Sequence, residues 1–461
     1  MKSSVLWSLR LGFSAKQADF IEKNGVNDFL EKSFATTIDD QLPDYLTTSP
    51  KTLAEFKELR QTLKDVNSDQ AKAIRKQEAQ TAIEMKMAWI EKMQQDAFPL
   101  REKMTCFWHN HFVSTIQKVK VNYWIYQHNQ IIRTHAFGNF KTLTKLIVQS
   151  NAMVRYLDNV DNRKGKWNEN LSRELLELFT LGIGNYTEMD IKNGAKGLAG
   201  LGIGEEKAQY RKFLEDNEPF TYLGKKGNLK ADQLIDAIFE QKAIPYLITR
   251  KILQWFIYDD PAEDLVLYYG DYFRKVNFEI QPLLVKMITE EYDKKTAGSK
   301  IKNPLEFSLQ LLDELQIKNP NTRGLVLFMK EQGMDLFNQP NVKGWDGGNS
   351  WLSSQMYLQR NNVADLLCNG KGNFRNQNAN KMMNDKPIRP IPVQLKWDKN
   401  ASHKKIIAQL SDRLLFQVEA NTQADFEKII KYDFNSNAIG ADYAVLRLFN
   451  YMVKSPEFQL I

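Results

Sequence analysis

Apolar residues recur along most of this chain at the three-to-four residue spacing of amphipathic helices, and nowhere do several alternating runs stand between turn signals. The pattern predicts a mainly α protein. It predicts one or two long, charged helices over 51–98, clearest in AIEMKMAWIEKM, and further helices near 100–113, 121–136, 140–150, 168–181, 230–258, 261–275, 280–293, 304–316, 351–368, 402–418 and 441–455. Composition marks the loops: DNVDNRKGKWNEN at 158–170, GLAGLGIGEE at 197–206, NEPFTYLGKKGN at 217–228, NQPNVKGWDGGNS at 338–350, and an Asn-, Pro- and Gly-rich stretch at 369–405. No internal repeat is present. Residues 406–461 are too few to fold alone, so a multi-helical single composite domain with long irregular loops is expected. Its body is 1–368, its irregular loop 369–405, and its C-terminal helices, 406–461, pack on the body.

Charge changes this picture only locally. The 461 residues carry a net +7, and 369–405 holds nine Lys/Arg against two Asp, so the rest of the chain is neutral. A basic loop without interleaved stacking residues on a structured face reads as solvated, which disfavours nucleic-acid binding. Cys106 and Cys368 form neither a disulfide framework nor a metal-ligand spacing, although one long-range bridge stays open. No apolar run approaches membrane-spanning length, and Arg10 breaks the short apolar start. No membrane span and no signal peptide are expected, which fits a cytoplasmic chain or a trimmed exported one.

Four of the five histidines, His109, His111, His128 and His135, fall within 27 residues. On helical wheels His111 lies within the arc of Met104, Phe107, Trp108 and Phe112, with His109 just outside it. His128 and His135 project into the arc of Trp124, Ile125, Ile131 and Ile132. In NLSRELLELFTLG, with Asn168 as N-cap and Gly182 as stop, Glu174 sides with Leu171, Leu175, Leu178 and Leu181, and Glu177 with the polar face. Inward carboxylates and imidazoles must be paired or metal-bound. Two readings follow: a hydrogen-bonded network locking the helices together, or convergence of His109, His111, His135 and Glu174 on a divalent metal. Residues two apart on a helix diverge by about 200°, so His109 and His111 share a metal only where the helix ends or distorts.

Other patterns carry less. His109-Asn110-His111 spells a nuclease motif's name without its spacing. Gly200–Gly204 lacks a preceding strand and runs into Glu205-Glu206, which would repel phosphate, so a nucleotide site is rejected. The loop Asp158–Asn170 lacks EF-hand spacing, and Asx turns explain it better than calcium. Trp345 and Trp351 flank a glycine-rich turn, where they either contact a ligand such as a sugar ring or pack the turn onto the body; in the second case Ser350 caps the next helix.

Segments LWSLRLGFS, LREKMTCFWHNHF, RTHAFGNF, NENLSRELLELFTLGIGNYTEMDI, YLGKKGN, QPNVKGWDGGNSWL and SPEFQL, in that order, resemble the bacterial family called domain of unknown function 1800 over nearly the whole length. The resemblance implies a mostly helical protein, often exported, with a sulfatase-like protein encoded nearby as an expected partner. The matching positions include His109, His111, His135, Asn168, Glu169, Asn170, Arg173, Glu174 and Glu177; His128 lies outside them. Phe179 stands where many relatives have His, Leu201 where Trp is common, and 213–221 lacks an expected His-Asp pair. If those groups serve chemistry, this member is weakened or inactive.

Two functions stand side by side. One is a metal-dependent enzyme, hydrolytic or oxidative, with His109, His111, His135 and Glu174 as ligands and Glu174 as ligand or general base. The other is a non-catalytic scaffold or accessory protein with a structural His/Glu network. It would bind a protein or glycan partner through Trp345 and Trp351 or the basic loop.

Overall fold

The computed structural model describes residues 1–369, 392–431 and 434–461. Helices dominate, as the periodicity implies. The only paired strands among the described residues are two short antiparallel ladders, Leu201–Gly202 with Gln209–Tyr210 and Phe220–Tyr222 with Lys225–Gly227. Both lie in segments read from sequence as loops, because ladders of two or three residues are too short to show alternation.

Local chemistry sets several boundaries. The predicted 51–98 region divides into Leu53–Thr62 and Asp69–Gln95, each opened by a hydroxyl N-cap, Thr52 and Ser68. The predicted 230–258 helix breaks into Ala231–Phe239 and Ile244–Phe256, the second with proline in its first turn. Asn303 and Glu306 form a capping box at the start of Pro304–Glu314, with Pro304 as its first residue. Ahead of Ser354–Asn369, Ser353 rather than Ser350 supplies the hydroxyl, accepting from Met356 N at 3.4 Å, while Ser350 lies in the 3-10 turn Gly348–Leu352. Most of the basic stretch, 370–391, lies outside the described residues.

The helix Leu100–His111 is central. Every residue of it except Asn110 is buried, so polar side chains there must find partners inside the protein. Glu102 pairs with Arg133 of the helix Asn122–Thr134, and Lys103 with Glu306 of Pro304–Glu314. The C-terminal helices share the same core: Phe458 and Met452 are buried within it, and Ile461 N donates to Lys300 O at 2.8 Å. Cys106 and Cys368 are both free and buried. No helix among the described residues is long and apolar enough to cross a membrane.

Candidate functional site

Three imidazoles do face the interior, but the third is His109. His135 follows the end of its helix and is only half-buried, because the Asn122–Thr134 helix stops one residue short of it. His109, His111 and His128 are buried, since all sides of the Leu100–His111 helix are covered and a single apolar arc does not describe it.

Each buried ring is held the same way. His109 Nε2 faces Ser114 O at 3.2 Å, His111 Nε2 faces Phe179 O at 3.0 Å, and His128 Nε2 faces Phe112 O at 2.9 Å. A carbonyl only accepts, so in each ring Nε2 carries the proton and donates. Every Nδ1 is then left to accept: from Asn129 Nδ2 at 3.4 Å in His109, from Lys251 Nζ at 3.2 Å in His111, and from Ser150 Oγ at 3.3 Å in His128. The carbonyls belong to chain that is leaving helical geometry after His111 and after Glu177, where backbone oxygens lack intrahelical partners. The rings are therefore helix-end clamps.

Lys251 completes the second clamp. It also donates to Leu178 O at 3.1 Å, so the ammonium and His111 together cover two successive carbonyls beyond the helix Asn170–Glu177, where a cation is favoured by the helix dipole. Burial lowers this lysine to a pKa of about 8. Sequence reasoning missed it, although a signal exists: Lys251 stands three residues after Ile248 and four before Trp255, on the buried stripe of its helix.

The expected acid, Glu174, takes no part in the clamps. It is half-buried, and burial and the nearby Glu177 raise its pKa, while Arg173 and Lys343 oppose this. Glu177, read as solvent-facing, is also half-buried and accepts from Tyr186 Oη at 3.0 Å. Glu169, not Asn168, holds the N-cap position of this helix; Asn168 Oδ1 instead accepts from Asn170 N at 3.0 Å in an Asx turn. Arg173 bridges Glu169 and Glu188. Among the described residues no three His, Cys, Asp or Glu side chains are placed to hold one metal ion. Both ring nitrogens of His109 and of His111 already face protein partners, so as placed neither ring directs a nitrogen at a metal shared with His135 and Glu174.

Asn110, between the two histidines, anchors a distant turn. Its Oδ1 accepts from Trp345 N at 2.7 Å, and Gln339 Nε2 donates to His109 O at 3.3 Å, so the 339–352 segment is fastened to the end of the histidine helix. Gly344 allows this approach: its φ is +92°, and a Cβ there would meet Asn110 Oδ1 at 2.4 Å. Trp345 and Trp351 are only 5% and 6% exposed, so neither indole offers a face to a sugar, and the turn packs onto the body. Phe179 packs its ring against His111 and Phe112 at 5.9 and 5.3 Å, and Leu201 is buried.

All three clamped rings are neutral at pH 7. Desolvation holds His109 and His111 well below the ordinary histidine value and brings His128 to about 4. A base with a lowered folded pKa leaves the unfolded chain binding more protons, so stability falls as pH drops from about 6.5. For His128 the loss amounts to about 3 kcal/mol by pH 4. A melting-temperature series across that window should slope downward toward acid, and His128→Gln, which keeps a donor but cannot titrate, should make the slope shallower, the remainder coming from His109, His111 and the buried carboxylates; an unchanged slope would assign the acid sensitivity wholly to those other groups.

A family model described as "Protein of unknown function (DUF1800)" matches residues 5–460. No curated protein matches the chain, and no solved structure does.

Proposed function

We propose that this chain, which belongs to the DUF1800 family, is a non-catalytic accessory protein whose buried histidines hold its helices in place while its outer face engages a partner. The observation carrying this reading is that both ring nitrogens of His109, His111 and His128 are committed to protein partners. A ring serving as ligand or base needs one nitrogen directed at metal or substrate. Exposed apolar side chains on the 168–191 segment support a protein contact: Ile183 is 79% and Met189 61% exposed. The sulfatase-like protein implied by the family resemblance is the first partner to test.

The competing reading is a divalent-metal enzyme using His109, His111, His135 and Glu174. Metal analysis of untagged protein, with His111→Ala and the double variant His111→Ala/His135→Ala alongside, separates the two. The accessory reading expects no stoichiometric metal, no stabilisation by added zinc or manganese, and a loss of about 2–3 kcal/mol on His111→Ala, which strips an acceptor from Lys251 and a donor from Phe179 O. Roughly one bound metal per chain, lost in the double variant while the fold persists, would overturn it.

A further inference from the structure

A cavity of about 280 Å³ opens where the helix Leu53–Thr62, the helix Asn151–Tyr156, the loop after it and the Leu201–Gly202 strand meet. It shares no residue with the histidine clamps. Three arginines line it, Arg60, Arg155 and Arg211, against one acidic residue, Asp161. Arginine ion pairs among the described residues involve Arg133, Arg173, Arg250 and Arg413 instead. Arg60 lies over the Phe56 ring at 5.8 Å, and Arg211 donates only a long bond, 3.4 Å, to Ile203 O. Three cationic residues around one cavity, none in an ion pair among the described residues, make its rim electropositive, and an anion complements that charge.

The walls are preformed. Asn159 Nδ2 donates to Leu198 O and Leu201 O at 3.1 and 2.7 Å, and Asn162 Nδ2 to Ala195 O at 2.9 Å. Gly200 has φ +82°, and its N–H donates to Asn162 O at 2.9 Å. Both asparagines are buried, so the backbone frame exists before any ligand arrives, and the ordering that binding requires falls on the exposed side chains of Arg60 and Arg211. The apolar lining comes from the half-buried Phe56, Val160, Ile203 and Leu214.

The sequence argument against phosphate at 200–204 rested on Glu205-Glu206. In the fold, Glu205 turns toward the start of the Leu53–Thr62 helix, where its carboxylate accepts from Leu53 N at 3.3 and 3.4 Å, and neither glutamate lines the cavity. Three arginines against Asp161 leave two unmatched positive charges, which suits a dianion. Guanidinium forks match phosphate oxygens bidentately. We propose that this cavity binds a phosphate monoester whose organic part is a compact apolar or ring-shaped group, the phosphate held by Arg60, Arg155 and Arg211 and the organic part by the apolar wall.

Calorimetric titration of the full chain with phenyl phosphate, in slightly alkaline buffer at low salt, is the test. One site per chain is expected, weakened at least about tenfold by Arg155→Gln with melting temperature unchanged, since a bidentate partner is lost. Arg60→Gln should weaken it too. Benzoate, a monoanion of similar body, and inorganic phosphate, which lacks the body, should each bind about tenfold more weakly. No binding of phenyl phosphate at millimolar concentration, or binding indifferent to both arginine substitutions, would overturn the site. Benzoate binding as tightly would remove the dianion assignment, and inorganic phosphate binding as tightly would remove the ester.

Discussion

Replacing Glu306 with alanine should destabilise the protein by about 3–5 kcal/mol, the cost of leaving buried charges without their counter-ion. The carboxylate is fully buried, accepts from Lys103 Nζ at 2.5 Å and Lys300 Nζ at 3.0 Å, and takes the Asn303 backbone N–H at 2.8 Å. Lys103 is equally buried and also donates to Gly12 O at 2.8 Å, so the loss would propagate to the packing of the N-terminal segment. Lys302 is buried a few residues away, donating to Phe458 O, and Arg360 holds the Lys302 carbonyl at 3.0 Å. Without Glu306 this region would keep several cations and no acid among the groups named.

The titration of the pair has a definite sign. Burial alone would raise the Glu306 carboxyl, but Lys103 and Lys300 outweigh it and hold the pKa at about 2. An acid with a depressed folded value contributes stability above its unfolded pKa, about 4.3, and that contribution is lost as pH falls toward 2. Burial brings Lys103 down to about 8, so its neutral form is favoured in the folded state and stability rises with pH between about 8 and 10.4. Urea unfolding at pH 7 measures the main effect: the midpoint should fall with the slope unchanged. Adding Lys103→Met to Glu306→Ala should restore part of the loss, because one stranded ammonium is removed. A loss below about 1 kcal/mol for the single change would mean that water reaches these charges.

Glu102→Ala is expected to cost a similar 3–5 kcal/mol, and here the consequence is for the clamps. Arg133 Nε and Nη2 donate to the two carboxylate oxygens at 2.8 and 3.0 Å, and Trp89 Nε1 donates to one of them at 2.7 Å. Three helices meet at this carboxylate: Asp69–Gln95 through Trp89, Leu100–His111 through Glu102 itself, and Asn122–Thr134 through Arg133. The last two carry His109, His111 and His128. Desolvation opposes ionisation of Glu102, but Arg133 prevails and the pKa is lowered, so its contribution is present above the unfolded carboxyl value and fades in acid. A double-mutant cycle with Arg133→Met should show the pair costing less than the sum of the single changes. Strict additivity would show that the two groups act independently. Glu102→Gln, which can still accept from Trp89, should cost less than alanine does.

Much of the helical frame is readable without coordinates because each helix carries its own periodicity and ends. The Leu100–His111 helix falls within the expected 100–113, and Glu263–Lys275 and Ile280–Glu291 lie inside their expected spans. The wheel failed where burial is not one-sided. It placed His109 outside the apolar arc, yet a helix enclosed on every side buries polar and apolar positions alike. It placed His135 inward by assuming one more residue of helix than forms. It singled out Glu174 as the inward acid, whereas the fully buried acids of the histidine and Pro304–Glu314 helices are Glu102 and Glu306. Their partners could not be read locally: Lys103 and Glu306 are separated by 203 residues, and the geometry that joins them is a helix crossing.

By itself the sequence determined the helical class, many of the helix positions, the concentration of positive charge in 369–405 and the family, because these depend on short-range spacing, composition and ordered local motifs. Tertiary structure alone decided what the chemical groups do. It turned histidines that resemble ligands into neutral donors to backbone carbonyls, brought Lys251 across 140 residues to His111, and turned Glu205 away from a cavity lined by three arginines. The physical reason is that an ionisable side chain takes its role from its solvation and its nearest partners, and these are set by which helices cross rather than by which residues adjoin.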